Sequence, residues 1–268
     1  MPHPPRPTPD DVPAAERAAL RRGRWIPWLP YLLTAAVSAG LLVWAIVALP
    51  GLPDRVPVHW GIDGRPDAWE EKSFGTVAFG PLLGLGMTAL LAFCAALTPA
   101  MTATPQDASP WRRVRQEGVN RGVREALGWL TLLIALATAP STVEVLSNGA
   151  WRPAWWLMPL VLTLVMLGTV GVFGPALRRW TGWADRTAQD LGYRADFAEL
   201  AEDAKWTPLG LKNDPEDPSA FPAKREGYGV GATVNLATTT GRLLVYGFVA
   251  LFVIGLPAAL WIGAFLNR

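Results

Sequence analysis

One cysteine, Cys94, and two histidines stand in a chain of 268 residues. A lone thiol excludes a disulfide framework or a cysteine metal cluster within one chain. Charge is also scarce: 17% of residues are Asp, Glu, Lys or Arg, and the interiors of the long apolar runs hold almost none. Proton-coupled pumps, ion-coupled carriers and intramembrane proteases keep ionisable groups at membrane depth, where such groups are costly unless they work. Here only Glu144 comes near, close to the outer end of its run. Phosphate loops, dinucleotide glycine motifs and Ser-centred elbows are missing. The basic residues lack the fold context of nucleic-acid readout, so no nucleic-acid partner is expected.

What the chain does have is apolar length. Hydrophobic residues make up 51%, with 14 Trp, and the mean hydropathy is +0.22. A spanning helix needs about 20 mostly apolar residues, and five stretches qualify: Ile26 to Leu49, Gly75 to Leu97, Ala126 to Leu146, Ala154 to Leu177 and Leu243 to Leu266. The fold class is therefore an all-α integral membrane protein of about five transmembrane helices, with a small mixed cytoplasmic insertion before the last. In chain order this gives a disordered tail (1–24), a two-helix hairpin (25–98) carrying a loop at 51–74, and a basic loop (99–125). A second hairpin (126–177), the small domain (178–241) and the last helix (242–268) follow.

Basic residues resist translocation and collect on the cytoplasmic side. Nineteen Lys and Arg fall in the N-terminal tail, the 98–125 loop and the 178–242 segment, against five on the other face. This predicts a cytoplasmic N-terminus and small domain, with the 51–74 loop outside. Trp25, Trp28, Tyr31, Trp151, Trp155 and Trp156 suit the bilayer interface. Pro140 and Pro257 are expected to kink their helices. Gly80, Gly84, Gly168, Gly171 and Gly174 permit close helix packing.

Two segments concentrate polar chemistry. In the outer loop, Leu52 to Ser73, charge, aromatic rings, turn residues and a histidine come together. His59, Asp63, Asp67, Glu70 and Glu71 are candidate metal ligands or acid/base groups, yet Gly61, Gly64 and Pro66 break the helix that would set them on one face. A compact turn is the bland alternative, with Trp60 and Trp69 on the membrane and His59 bonded to backbone. An intermediate reading keeps the turn and lets its rings, His and charges bind a peptide or lipid headgroup. In the inner segment, Trp183 to Ala201 reads as an amphipathic helix weakened by Gly192, and Tyr228 to Leu236 alternates as a short strand.

The loop resembles the signature of a bacterial membrane family of unknown function that includes the SdpI-like immunity proteins. The matching residues are Leu52, Pro53, Val56, Pro57, His59, Trp60, Gly64, Pro66, Asp67, Trp69 and Lys72; Gly61 stands where that family often has Asn. The inner segment resembles a second small uncharacterised domain through Trp206, Gly210, Asn213, Pro215, Asp217, Pro218, Pro222, Lys224, Gly231 and Asn235, with Ala232 in place of a usual Trp. The resemblance implies a bacterial plasma-membrane protein, and immunity to a secreted toxin peptide or envelope sensing. On this reading the ligand-binding residues are the loop positions Pro57, His59, Trp60, Asp63, Gly64, Pro66, Asp67, Trp69 and Lys72. The inner domain holds a cytoplasmic partner, and neither a cofactor nor a catalytic residue is assigned. Two other classes stay open: a transport or channel subunit lined by kinked helices, and a metal-dependent membrane enzyme acting at the outer face.

Overall fold

A backbone that crosses lipid must satisfy its own amides, so the long apolar stretches of this chain fold as helices. The computed structural model describes residues 13–61, 64–102, 108–207, 209–225 and 231–267. It is 69% helical, and five helical segments are long and apolar enough to cross a membrane, the architecture of a multi-pass membrane protein. The elements are α1 (Ala14–Arg21), α2 (Leu29–Ala48), strands β1 (Arg55–Trp60) and β2 (Pro66–Glu71), α3 (Phe74–Met101) and α4 (Pro110–Leu146). After them come α5 (Leu157–Gly171), α6 (Phe173–Asp190), α7 (Phe197–Asp203), α8 (Thr239–Ala250) and α9 (Leu256–Leu266).

Several elements depart from what the residues predict. Helix α4 begins at Pro110, so most of the predicted basic loop is helical; Arg, Gln, Glu and Ala are good helix formers whatever their polarity. The expected tail is helical over Ala14–Arg21 because Glu16, fully buried, finds two partners. Its carboxylate accepts from Arg113 Nε (3.1 Å) and Nη2 (3.0 Å) and from the Tyr193 hydroxyl (2.9 Å). The predicted amphipathic helix over 183–201 is split. Helix α6 stops at Asp190 before Gly192 (φ +73°), and α7 starts afresh at a capping box of Asp196 and Glu199. Of the predicted strand, Tyr228 to Val230 lies outside the described residues. The remainder forms only single bridges, Ala223 with Ala232 and Lys212 with Asn235. Pro140 lies inside α4. Just before Pro257, which lacks an amide hydrogen, the last span passes through a π-helical turn, Leu251–Gly255.

The chain divides into two compact units. One comprises Trp28–Phe93, Leu127–Val172 and Tyr246–Arg268. It turns large apolar side chains such as Val47, Phe79, Phe93, Leu164 and Ile254 outward, as lipid requires and water does not favour. Inside, hydroxyls and small residues close the helix contacts. Thr34 and Thr131 share a hydrogen bond of 3.0 Å, a Cβ on Gly84 would stand 2.5 Å from Ser38 Oγ, and one on Gly168 would stand 2.7 Å from Leu133. Gly171 and Gly174 face open space, so the close packing predicted for them does not occur.

The other unit comprises Met1–Pro27, Cys94–Ala126 and Phe173–Val245. Its core gathers Trp111, Val114, Ala184 and Ala188, with Leu20, Trp183, Leu191 and Tyr193 packed around them. Arg121 is fully buried at the centre. It donates to Glu117 (2.7 Å) and to the carbonyls of Arg22 (2.9 Å) and Leu20 (2.5 Å), with its guanidinium 4.1 Å from the Trp183 ring. Those two carbonyls lie at the C-terminal end of α1, where orphan acceptors need a donor. Helices α4 and α6 touch at Gly118, where a Cβ would meet the Trp180 carbonyl oxygen at 2.6 Å and the Ala184 Cβ at 2.7 Å. Neither atom belongs to a side chain that can swing away. Gly118→Val should therefore cost about 1–3 kcal/mol and lower the melting temperature of the purified protein in detergent, whereas Gly171→Val should leave it unchanged.

Candidate functional site

The 51–74 loop is a β-hairpin, not a bare turn. Strands β1 and β2 pair antiparallel, with Arg55 opposite Glu71, Pro57 opposite Trp69 and Trp60 opposite Pro66, and the register shifts on either side of His59. The chain reverses through Gly61 to Arg65, where the Gly61 amide donates to the Arg65 carbonyl (2.9 Å) and Gly64 takes φ +74°. Asp63 lies outside the described residues. Lys72 closes the open end of the hairpin: its ammonium donates to the Leu52 carbonyl (2.6 Å) and its amide to the Asp54 carbonyl (2.7 Å).

One face of the hairpin is buried. Val56 and Leu52 sit in an apolar cluster with Ala45, Val77, Ala78, Val145 and Leu146, and Trp60 packs on its edge. The Trp60 indole donates to Glu144 Oε2 at 2.7 Å. Glu144 is itself buried, and a buried carboxylate without a donor is costly. Trp60 is therefore a structural tie within the unit. His59 does not bond to backbone as the compact-turn reading expects. Its Nδ1 lies 2.5 Å from Asp67 Oδ1, and both side chains are exposed. Trp69 is exposed too.

Between the hairpin and the turn after α4 lies a cleft of about 510 Å³, within the size range of small-ligand sites. Pro53, Pro57, Pro66 and Trp69 line it from the hairpin, and Glu144, Asn148, Arg152 and Pro153 from the other wall, with Arg65 at the tip. Asn148 (φ 54°) and Gly149 (φ 71°) end α4 in left-handed conformation, and the Gly149 amide caps the Glu144 carbonyl at 3.1 Å. The sequence groups Pro57, Gly64, Pro66 and Trp69, and the structure brings them together in this cleft. It leaves His59 and Asp67 on the exposed hairpin and puts Lys72 at its base. Asn148 and Arg152 escape a sequence reading because some eighty residues separate them from the hairpin. The signal was the Asn148-Gly149 pair, a left-handed helix end. Among the described residues, no group of three or more His, Cys, Asp and Glu side chains is gathered as a metal would need.

The motif residues of the small domain are mostly a folding hub. Asn235 has no exposed surface. Its amide group donates to the carbonyls of Asp214 (2.9 Å) and Asp217 (2.9 Å) and accepts from the amides of Asp214 (3.1 Å) and Ala237 (3.1 Å). Gly210 takes φ +75° in a turn, the Asn213 amide donates to the Lys205 carbonyl (2.7 Å), and the Trp206 indole donates to Glu202 (2.8 Å). Asn213, Pro215, Pro218 and Lys224 are exposed. Lys212 bonds Asp217 at 2.7 Å and lies 3.4 Å from Asp214. The Asp217 bond raises the Lys212 ammonium above its ordinary value, and Lys212 in turn lowers the Asp217 carboxyl. For Asp214, burial pushes the carboxyl up, but the Glu216 amide together with Lys205 and Lys212 outweighs it and the net shift is down. Burial and then the Glu16 hydrogen bond raise the Tyr193 phenol.

Residues 36–85 match a family described as a domain of unknown function, DUF1648. The match takes in most of α2, the whole hairpin and the start of α3. No match was found among curated proteins or among solved structures.

Two outcomes follow. Trp60→Phe should cost about 1–3 kcal/mol by stripping buried Glu144 of a donor, while Glu144→Gln, which can still accept, should cost less; equal melting temperatures for the two variants would refute this. The lowered Asp214 and Asp217 contribute stability that is present above their ordinary value of 3.8 and lost as pH falls through the folded value. The raised Lys212 and Tyr193 contribute stability that is present below their ordinary values of 10.5 and 10.0 and lost as pH rises beyond them. Lys212→Met should therefore flatten the fall in melting temperature between about pH 7 and about pH 3.

Proposed function

We propose that this protein is a non-enzymatic receptor of the bacterial plasma membrane, of immunity or envelope-sensing type, that takes a peptide in the hairpin cleft. The carrying observation is the cleft itself: proline and tryptophan walls, cations from Arg65 and Arg152, and the Glu144 carboxylate within one small volume. Rigid rings give contact area at low entropic cost, and charges of both signs suit a zwitterionic main chain with its end groups. The hairpin is tied at its base by Lys72 and on its face by Trp60, so little ordering remains to oppose binding. The distribution of basic residues supports an outward-facing hairpin, where a secreted peptide arrives. The resemblance of the loop to SdpI-like immunity proteins points the same way.

The test uses cells expressing the protein and a Trp69→Ala, Arg152→Ala variant at equal level, challenged with membrane-active peptides secreted by neighbouring bacteria. Neither residue anchors the hairpin, so the variant should fold. Protection is expected from the native chain and should fall about tenfold or more in the variant, as loss of hot-spot residues does. Equal protection by both would remove the cleft from this role. No protection from either, together with solute flux into proteoliposomes above that of empty vesicles, would favour a transport subunit instead.

A further inference from the structure

The unit that contains the small domain has a second cleft, of about 550 Å³, which the receptor reading does not use. Its lining joins two chemistries, an apolar part of Met101, Val119, Val123, Phe173 and Leu177 and a charged part of Arg115, Asp203, Lys224 and Arg225.

The apolar residues share a position along their helices. Met101 is the last residue of α3, Val119 and Val123 immediately precede the apolar half of α4, and Phe173 and Leu177 open α6 just after the apolar α5. Each apolar helix turns polar at this point, which is where a bilayer gives way to its headgroup layer. The charged part is a chain of charges. Arg115 donates to Asp185 (2.6 Å) and to Asp203 (2.9 Å), and Arg225 donates to the other Asp203 oxygen (2.5 Å). Asp203 is thus held between two guanidiniums, and Arg225 is buried. Lys224, next along the chain, is exposed. Three cations face one lining carboxylate, and counting Asp185 still leaves that part positive. Within the small domain, the Lys224 amide donates to the Gly231 carbonyl (2.9 Å), which fixes its backbone.

We propose that this cleft binds an acidic phospholipid from the leaflet on the side of the small domain. The acyl chains lie along Val119, Val123, Phe173 and Leu177, and the phosphate ester meets Lys224 and the two guanidiniums. An amphiphile is the occupant that matches both parts at once. A free phosphate would leave the apolar part in water, and a neutral lipid would leave the cationic part without a counter-charge. The end of α3, α4, α6 and the small domain meet around the site, so the bound lipid would brace the small domain against the helix ends of its own unit.

The full chain, purified in neutral detergent, is mixed with equal amounts of dioleoylphosphatidylglycerol and dioleoylphosphatidylcholine, and retained lipid is counted by native mass spectrometry. The acidic lipid should be favoured, and Lys224→Gln, an exposed change that leaves the hub intact, should reduce that preference about fivefold, the factor one basic side chain near an anionic surface supplies. Val119→Trp should fill the apolar side and lower retention of the acidic lipid with the melting temperature preserved; if it melts early, Lys224→Gln alone decides. Equal retention of the two lipids overturns the proposal. So does a preference unchanged in Lys224→Gln. Displacement of the lipid by glycerol phosphate alone would make this a soluble-phosphate site and equally overturn it.

Discussion

A carboxylate at the end of an apolar helix needs a donor, and in this protein the donor comes from the hairpin. Trp60 reaches Glu144 at 2.7 Å, and the bond does two things at once. It satisfies a charge that would otherwise stay buried without a partner, and it fixes the hairpin over the end of α4. The cleft between them exists because this distance is held. Val56 and Leu52, buried against Val77 and Val145, supply apolar area on the same face. A two-stranded hairpin alone is marginally stable at best in water. Here the apolar cluster and the indole bond supply the missing part, and the bulge at His59 turns the exposed His59 and Asp67 pair away from that buried face.

The small domain solves a similar problem with amides. The described residues of 205–238 have almost no regular secondary structure, so their backbone polar groups need partners that a helix or sheet would normally provide. Asn235 supplies four of them from one side chain, and the Lys212, Asp214 and Asp217 cluster adds charge-assisted bonds. This accounts for a motif rich in Asn, Asp, Pro and Gly: those residues make turns and local bonds. Binding need not be invoked for most of them. Lys224 differs because it is exposed beside a cleft rather than enclosed in the hub.

Legibility from sequence followed the physics of each signal. Five spans were readable because lipid leaves few alternatives to twenty apolar residues in a helix. Their polar extensions were not, since the beginning of α4 is charged and its helicity rests on propensity and on partners such as Glu16 for Arg113. Helix α1 shows the same limit: Glu16 belongs in a helix only once Arg113 and Tyr193, far along the chain, are beside it. The hairpin lay hidden behind its own turn residues. Pro57 and Pro66 argue against a strand within a sheet, but both strands here are edges, where proline is tolerated. Loop members of the candidate site were visible as a cluster, whereas Asn148 and Arg152 were joined to it only by the fold.

Both clefts obey one rule about where polar groups stand. In each, some lining charges also do structural work: Glu144 holds Trp60, and Asp203 is held by Arg115 and Arg225. What remains toward the cleft is a smaller set, Trp69 and Arg152 in one and Lys224 in the other, that the fold positions without depending on it. That separation would permit a ligand to bind without unfolding its host, because desolvating an exposed group on binding costs less than breaking a buried pair. It also divides the sequence motifs by consequence. Trp60, Lys72, Asp217 and Asn235 maintain the frame, so their loss removes function through stability. Trp69, Arg152 and Lys224 face outward, so on the proposed readings changes there would reach recognition directly.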